Sequence, residues 1–122
     1  MSGTRKLKVL IIEDESIVAM MVEDFIVDLG HEVVGTAGRL EHAQKLAGEL
    51  PIDFAIVDVN LNGQHTYPVA ETLKARGVPF VFATGYAIEH LPEKHRSRPV
   101  LKKPFEMAGL KQMLAIATTA TS

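Results

Sequence analysis

Two apolar runs, each ending on acid, restrict this chain more than any other feature. Phe54-Ala-Ile-Val57 is unbroken and carries β-branched residues, and Asp58 follows it directly. Such a run reads as a short strand buried on both faces of a sheet. An unpaired charge inside a dry sheet is costly, so Asp58 is expected where the strand emerges, at its C-terminal edge. In open parallel sheets that edge is where ligands bind. Asn60, Asn62 and Gly63 then turn the chain away. The competing reading makes Asp58 a mere cap of the loop or helix that follows. Leu7 to Ile12 is the second run, and it ends in Glu13-Asp14-Glu15.

Between and after these runs the pattern alternates. Val18, Val22, Phe25, Ile26 and Leu29 recur at helical spacing, and Gly30 supplies a C-terminal cap. Glu32 to Thr36 reads as a short strand. Leu40, Ala43, Leu46, Ala47 and Leu50 form one helix face, which Pro51 ends. Pro68 suits the first turn of a third helix, where its missing N–H costs nothing. Val69, Ala70 and Leu73 line that helix, and Gly77 closes it. Val78 to Ala83 is a strand. Ala87 to Leu91 is at most a short helix before Pro92, Pro99 to Lys102 is a brief strand, and Phe105 to Ile116 is the last helix. Strand and helix alternating five times imply an α/β fold, with a parallel sheet covered by helices on both faces. The five methionines sit mostly at helical core spacing and are expected to fill the core. Ala117 to Ser122 are small and polar and are expected to fray.

Totals narrow the chemistry. A length of 122 residues suits one domain. A formal net charge of −2 argues against a nucleic-acid binder, which usually carries a basic surplus. The absence of cysteine excludes disulfides, thiolate metal sites and cysteine nucleophiles. No apolar run approaches the roughly 20 residues of a membrane span, and Met1 to Lys8 lacks the apolar stretch of a signal peptide. A cytoplasmic location away from membranes is the expectation.

The residues that follow the strands carry the functional signal. They are Glu13 and Asp14 after the first, Asp58 after the third, Thr84 after the fourth and Lys103 after the fifth. A parallel sheet gathers those ends along one edge. Three carboxylates about 4 Å apart repel by roughly 4 kcal/mol per pair at an effective dielectric near 20. One keeps its proton, or a cation neutralises them. A small hard dication fits, since Mg²⁺ takes one or two carboxylates plus waters and phosphate oxygens. Zinc and copper are poor candidates without histidine or cysteine ligands. An ammonium and a hydroxyl beside such an ion suggest phosphoryl transfer, with Asp58 as nucleophile. Lys102 competes with Lys103 for that position. Strand alternation sends the two to opposite sides.

This set of residues resembles the receiver domain of bacterial response regulators, over about Lys6 to Ala117. The resemblance rests on Glu13-Asp14, Asp58, Thr84 and Lys103-Pro104-Phe105, in order and near the family's spacing. It implies a flavodoxin-like (βα)5 fold, with a five-stranded parallel sheet in the order 2-1-3-4-5. It implies that Asp58 accepts a phosphoryl group from the phosphohistidine of a sensor histidine kinase or phosphotransfer protein. Asp14 and Asp58 would bind Mg²⁺ directly, Glu13 through water and Asn60 through its backbone carbonyl. Thr84 and Lys103 would contact the phosphoryl oxygens, and Lys103 rather than Lys102 is the family's lysine because proline follows it. The Lys103-Pro104 bond would be cis. Pro79 to Tyr86 (Pro-Phe-Val-Phe-Ala-Thr-Gly-Tyr) further resembles the "FAT GUY" stand-alone receivers, which are associated with general stress signalling in alphaproteobacteria.

The chain departs from the common receiver pattern at two places. Asn62-Gly63 stands where many members have Pro-Gly. Val100 stands where many have the aromatic switch residue, so Tyr86, two residues past Thr84, is the substitute partner of a Thr84 switch. With no output domain expected after Ile116, the output is expected to be a contact with a downstream protein, a phosphate-shuttle role or competition for a kinase's phosphate. An unphosphorylated binding module and a haloacid-dehalogenase-type phosphohydrolase are the alternatives. The latter wants a second acid where Asn60 stands. The five histidines are read as surface or loop residues, and Gly35-Thr-Ala-Gly38 as too short for a nucleotide-binding loop.

Overall fold

The computed structural model describes residues 6–84, 100–102 and 107–121. The elements along the chain are β1 (Lys8–Ile12), α1 (Ser16–Asp28), β2 (Glu32–Ala37), α2 (Leu40–Glu49), β3 (Phe54–Asp58), β4 (Asn60–Leu61), β5 (Gln64–His65), α3 (Tyr67–Ala75), β6 (Phe80–Thr84), β7 (Val100–Lys102) and α4 (Met107–Thr121). Strands β2, β1, β3, β6 and β7 lie side by side in that order, and each neighbouring pair is parallel. The α/β alternation and the parallel sheet are those the apolar runs imply. The short strands β4 and β5 form a separate antiparallel hairpin directly after β3.

The period of two along each strand decides which layer a side chain joins. Leu10, Ile12, Ala55, Val57, Phe80 and Phe82 face α2 and α3, where they pack with Ala43, Ala47, Val69, Ala70 and Leu73. Val9, Ile11, Phe54, Ile56, Val81 and Ala83 face the other way, onto Val22 and Ile26 of α1 and Leu110 and Leu114 of α4. Every residue of β3 is buried, as its unbroken apolar run predicts. Burial of each large side chain such as Phe54 or Phe82 contributes about 2 kcal/mol. Among the described residues no helix is long and apolar enough to cross a membrane.

Several element boundaries and burial assignments differ from the sequence reading. The strand read as Val78 to Ala83 starts two residues later, as β6, after a turn that ends at Gly77 with a positive φ of 71° and after Pro79, which has no N–H to give a ladder. Helix α4 continues to Thr121 instead of fraying after Ile116. Met20 is 63% exposed and is no core residue, since helix α1 turns Ala19 and Val22 inward and leaves Met20 outside with Ile17 and Val27. Met113 does pack against the core. The short helix expected over 87–91 lies outside the described residues.

Two polar side chains tie down the end of the sheet opposite the acids. Asp53 accepts the N–H of Lys8 at 2.9 Å, while its own N–H donates to the Lys8 carbonyl at 2.7 Å, so the starts of β1 and β3 are locked in register. His31 lies in the loop before β2, as read, but is half-buried, and its Nδ1 accepts the Leu7 N–H at 3.0 Å. That bond requires the neutral ring.

Burial holds the His31 imidazole below its ordinary value of 6.5. The unfolded chain therefore binds the proton first, and the contribution of His31 is fully present above pH 6.5 and is lost as pH falls through the lowered folded-state value. Urea-unfolding midpoints measured from about pH 8 down to about pH 5 should fall for the wild type. The fall should be shallower in His31→Gln, which cannot titrate.

Candidate functional site

Strand register brings the acids together. Ile12 of β1 pairs with Val57 of β3, so Glu13 and Asp14 leave β1 beside Asp58. Oxygen atoms of Glu13, Asp14 and Asp58 all lie within 4.8 Å of one another. Glu13 and Asp58 are buried and Asp14 is partly exposed, so the cluster opens to solvent on the Asp14 side. Asp58 is the last residue of β3 and is only 7% exposed, at the strand end where its charge can reach the cleft.

Each carboxylate is held by a backbone N–H. Glu13 Oε2 accepts from Glu15 at 3.0 Å, and Asp58 Oδ1 accepts from Asn60 at 3.2 Å. Asp14 Oδ2 accepts from Asn62 at 2.9 Å, across to the β4–β5 hairpin. Hydrogen bonds to a charged acceptor are the stronger kind. They aim the oxygens before any cation arrives. Gly38 approaches the same loop from the β2 side. A Cβ there would stand 3.3 Å from the Glu13 carbonyl oxygen and 3.4 Å from Asp14 Cα, so a larger residue would press on the acid loop by a few tenths of an ångström.

The hairpin explains the Asn62-Gly63 pair. Asn62 has φ 50° and Gly63 has φ 87°, both in the left-handed region that a two-residue primed turn demands. Asn60 Oδ1 accepts the Gly63 N–H at 2.8 Å and closes the turn. The exposed His65 ring stacks on Tyr67 at a centroid distance of 5.1 Å, and Tyr67 in turn meets the edge of Phe82. Burial pushes the Tyr67 hydroxyl above its ordinary value, so it stays neutral.

Thr84 ends β6, buried, one step past Ala83, the register partner of Asp58. Lys102 ends β7 opposite Thr84. Lys103, Pro104 and Tyr86, singled out in the sequence, lie outside the described residues. The structure thus brings together Glu13, Asp14 and Asp58, and sets Thr84 along the same sheet edge. Sequence reasoning missed Asn62, which bonds the cluster through its backbone, and Thr66, whose hydroxyl bonds the Asp58 carbonyl oxygen at 2.6 Å. A backbone donor leaves no mark in side-chain identity. An isolated threonine in a loop has no period to betray it.

The donor set consists of carboxylate oxygens, which suits a hard dication such as Mg²⁺ and not a soft one.

Residues 9–115 match the family model described as the response regulator receiver domain. SdrG from Sphingomonas melonis Fr1 is 44% identical, with a TM-score of 0.83 over 97% of this chain and 99% of that one. A structure of the BeF3-activated conformation of SdrG gives 46% identity and a TM-score of 0.77, over 92% of this chain and 97% of that one. The phyllosphere-induced regulator PhyR of Methylorubrum extorquens is 32% identical over 90% of this chain and 43% of its own length. The chain spans about half the length of the curated relatives it matches.

Three like charges this close repel without a cation, by roughly 3 kcal/mol per pair at an effective dielectric near 20. Asp58→Asn should therefore raise stability in the presence of a chelator by about 1 kcal/mol, read from urea unfolding. Added Mg²⁺ should then stabilise the wild type more than the variant. An unchanged midpoint in chelator would mean that the acids do not repel in the folded state.

Proposed function

This chain belongs to the response regulator receiver family, and from that premise we propose that it is a phosphoryl-accepting switch of a two-component phosphorelay, with Asp58 as the acceptor. The gathering of Glu13, Asp14 and Asp58 within 4.8 Å at the C-terminal sheet edge carries the proposal. The donor is a phosphohistidine on a sensor histidine kinase or a phosphotransfer protein. An Asp58 carboxylate oxygen attacks phosphorus, a P–O bond forms and the P–N bond breaks. The electron pair goes to the ring nitrogen, and with the other nitrogen protonated the donor leaves as neutral imidazole.

Glu13, Asp14 and Asp58, with the Asn60 carbonyl, would hold Mg²⁺. When bound, the ion supplies positive charge against the carboxylates and the phosphoryl oxygens. The backbone N–H groups of Glu15, Asn60 and Asn62 keep the acids aimed. Thr84 and Lys103 are assigned to the phosphoryl oxygens, and Thr84 with Tyr86 to the switch. Movement there shifts the population of two states and changes a face offered to a downstream protein. The finer topology of the family, (βα)5 in the order 2-1-3-4-5, is part of this reading, and the order β2-β1-β3-β6-β7 supports it. A role in general stress signalling is supported by the Pro79 to Tyr86 motif and by likeness to the PhyR stress response regulator.

The phosphohydrolase reading is weakened by Asn60, which stands where that chemistry needs an acid and whose Oδ1 is engaged by Gly63. Incubation with phosphoramidate or acetyl phosphate and Mg²⁺ should add one phosphoryl mass, lost in Asp58→Asn and without Mg²⁺. A wild-type chain that gains no mass would favour an unphosphorylated binding module. Sustained turnover of p-nitrophenyl phosphate would favour the phosphohydrolase.

A further inference from the structure

Thr66 is the N-cap residue of α3, yet its side chain makes no capping bond to that helix. A threonine at this position ordinarily accepts an N–H from the first helical turn. Here the hydroxyl turns the other way and donates to the Asp58 carbonyl oxygen at 2.6 Å, with the Val59 carbonyl oxygen at 3.2 Å. The residue is 0% exposed, so no water competes for that proton. A hydroxyl has a single proton to give, and it is given mainly to the acceptor residue.

The consequence falls on one peptide unit. The N–H of Val59 donates to the Ala83 carbonyl at 3.0 Å, and the C=O of Asp58 accepts from Thr66. Donor and acceptor of the 58–59 peptide are thus fixed from opposite sides. That fixes ψ of Asp58 and with it the direction in which its side chain leaves the strand. Thr66 is itself immobile. Its N–H donates to the Val59 carbonyl at 2.9 Å, and its C=O accepts from Val69 at 2.9 Å and Ala70 at 3.1 Å. The first turn of α3 is thereby tied to the end of β3 through the Thr66 hydroxyl and to Val59 through the Thr66 N–H. A group that must attack in line is sensitive to small displacements, because misplacement by about 1 Å costs up to about a hundredfold in rate.

We propose that Thr66 is a positioning residue for phosphoryl transfer, and that its hydroxyl orients the Asp58 carboxylate through the Asp58 carbonyl. This rests on the reading of Asp58 as the phosphoryl acceptor. Two pairs isolate the hydroxyl: wild type against Thr66→Val, and Thr66→Ser against Thr66→Ala. Initial rates of phosphorylation of the full chain by phosphoramidate with saturating Mg²⁺ are followed by intact mass, with folding checked by circular dichroism. The variant without a hydroxyl should lose about tenfold or more in maximal rate in each pair, with little change in the half-saturating phosphoramidate concentration. Thr66→Ser should stay close to wild type. Equal maximal rates within both pairs would overturn the proposal while leaving Asp58 as acceptor. Loss in Thr66→Ser as deep as in Thr66→Ala would assign the effect to methyl packing and overturn it too. If both variants lacking the hydroxyl are unfolded, Thr66 is a folding determinant and the assignment falls. A wild type that takes no phosphoryl group overturns the acceptor reading and this inference together.

Discussion

Like charges held in one place by the sheet are the constraint on which the rest of this structure depends. The register Ile12 to Val57 and Asp58 to Ala83 leaves the backbone no freedom to separate Glu13, Asp14 and Asp58. Repulsion among them is tolerated because the apolar sheet beneath is large and buried on both faces. A net stability of some 5–15 kcal/mol is typical of a domain, so a few kcal/mol of repulsion is a large fraction of it. Such a site is a poor place to leave empty of positive charge. It is a good place to couple cation binding to the free energy of the fold.

The two ends of the sheet are managed by opposite means. At the end where β1 and β3 start, polar groups are matched one to one: Asp53 with Lys8, and His31 with Leu7. These pairs fix the register from below. At the other end the acids accept backbone N–H groups, Glu13 from Glu15, Asp58 from Asn60 and Asp14 from Asn62. A base fixed by paired polar groups and a rim of gathered acids give a sheet that positions charged groups accurately.

Much of this was legible because strands and helices announce themselves by period. The apolar run Phe54 to Val57 had to be a buried strand, and Asp58 had to sit at its end. Val69, Ala70 and Leu73 had to face inward, and they do. Legibility stopped where position is decided by tertiary contact. Met20 shares the composition of core residues, but α1 has more apolar residues than its buried face can hold, so some stay outside. His31 looked like a loop residue, and only the return of β2 alongside Leu7 gives its ring a donor to accept from. Gly38 read as one glycine of an uninformative run, whereas its lack of a side chain eases the close approach of the β2–α2 connection to the acid loop. Asn62-Gly63 was readable as a turn, yet the bond from Asn62 to Asp14 depends on where that turn lands.

That last bond bears on how the site communicates. Asn62 sits at a φ of 50°, in the left-handed region that asparagine tolerates better than most residues. The same conformation that closes the β4–β5 hairpin points the Asn62 N–H at Asp14. The hairpin is closed from inside by Asn60 and joined at its far end to Thr66, which holds the Asp58 carbonyl. Two of the three acids are therefore bonded to one short segment, Asp14 through Asn62 and Asp58 through both Asn60 and Thr66. Any change in charge at Asp14 or Asp58 alters the strength of bonds made by this hairpin, because bonds to an ionised acceptor weaken when that charge is neutralised. In a chain with Asn-Gly in place of Pro-Gly after the acceptor, the hairpin is a physical path from the acid cluster to the exposed residues Gln64 and His65.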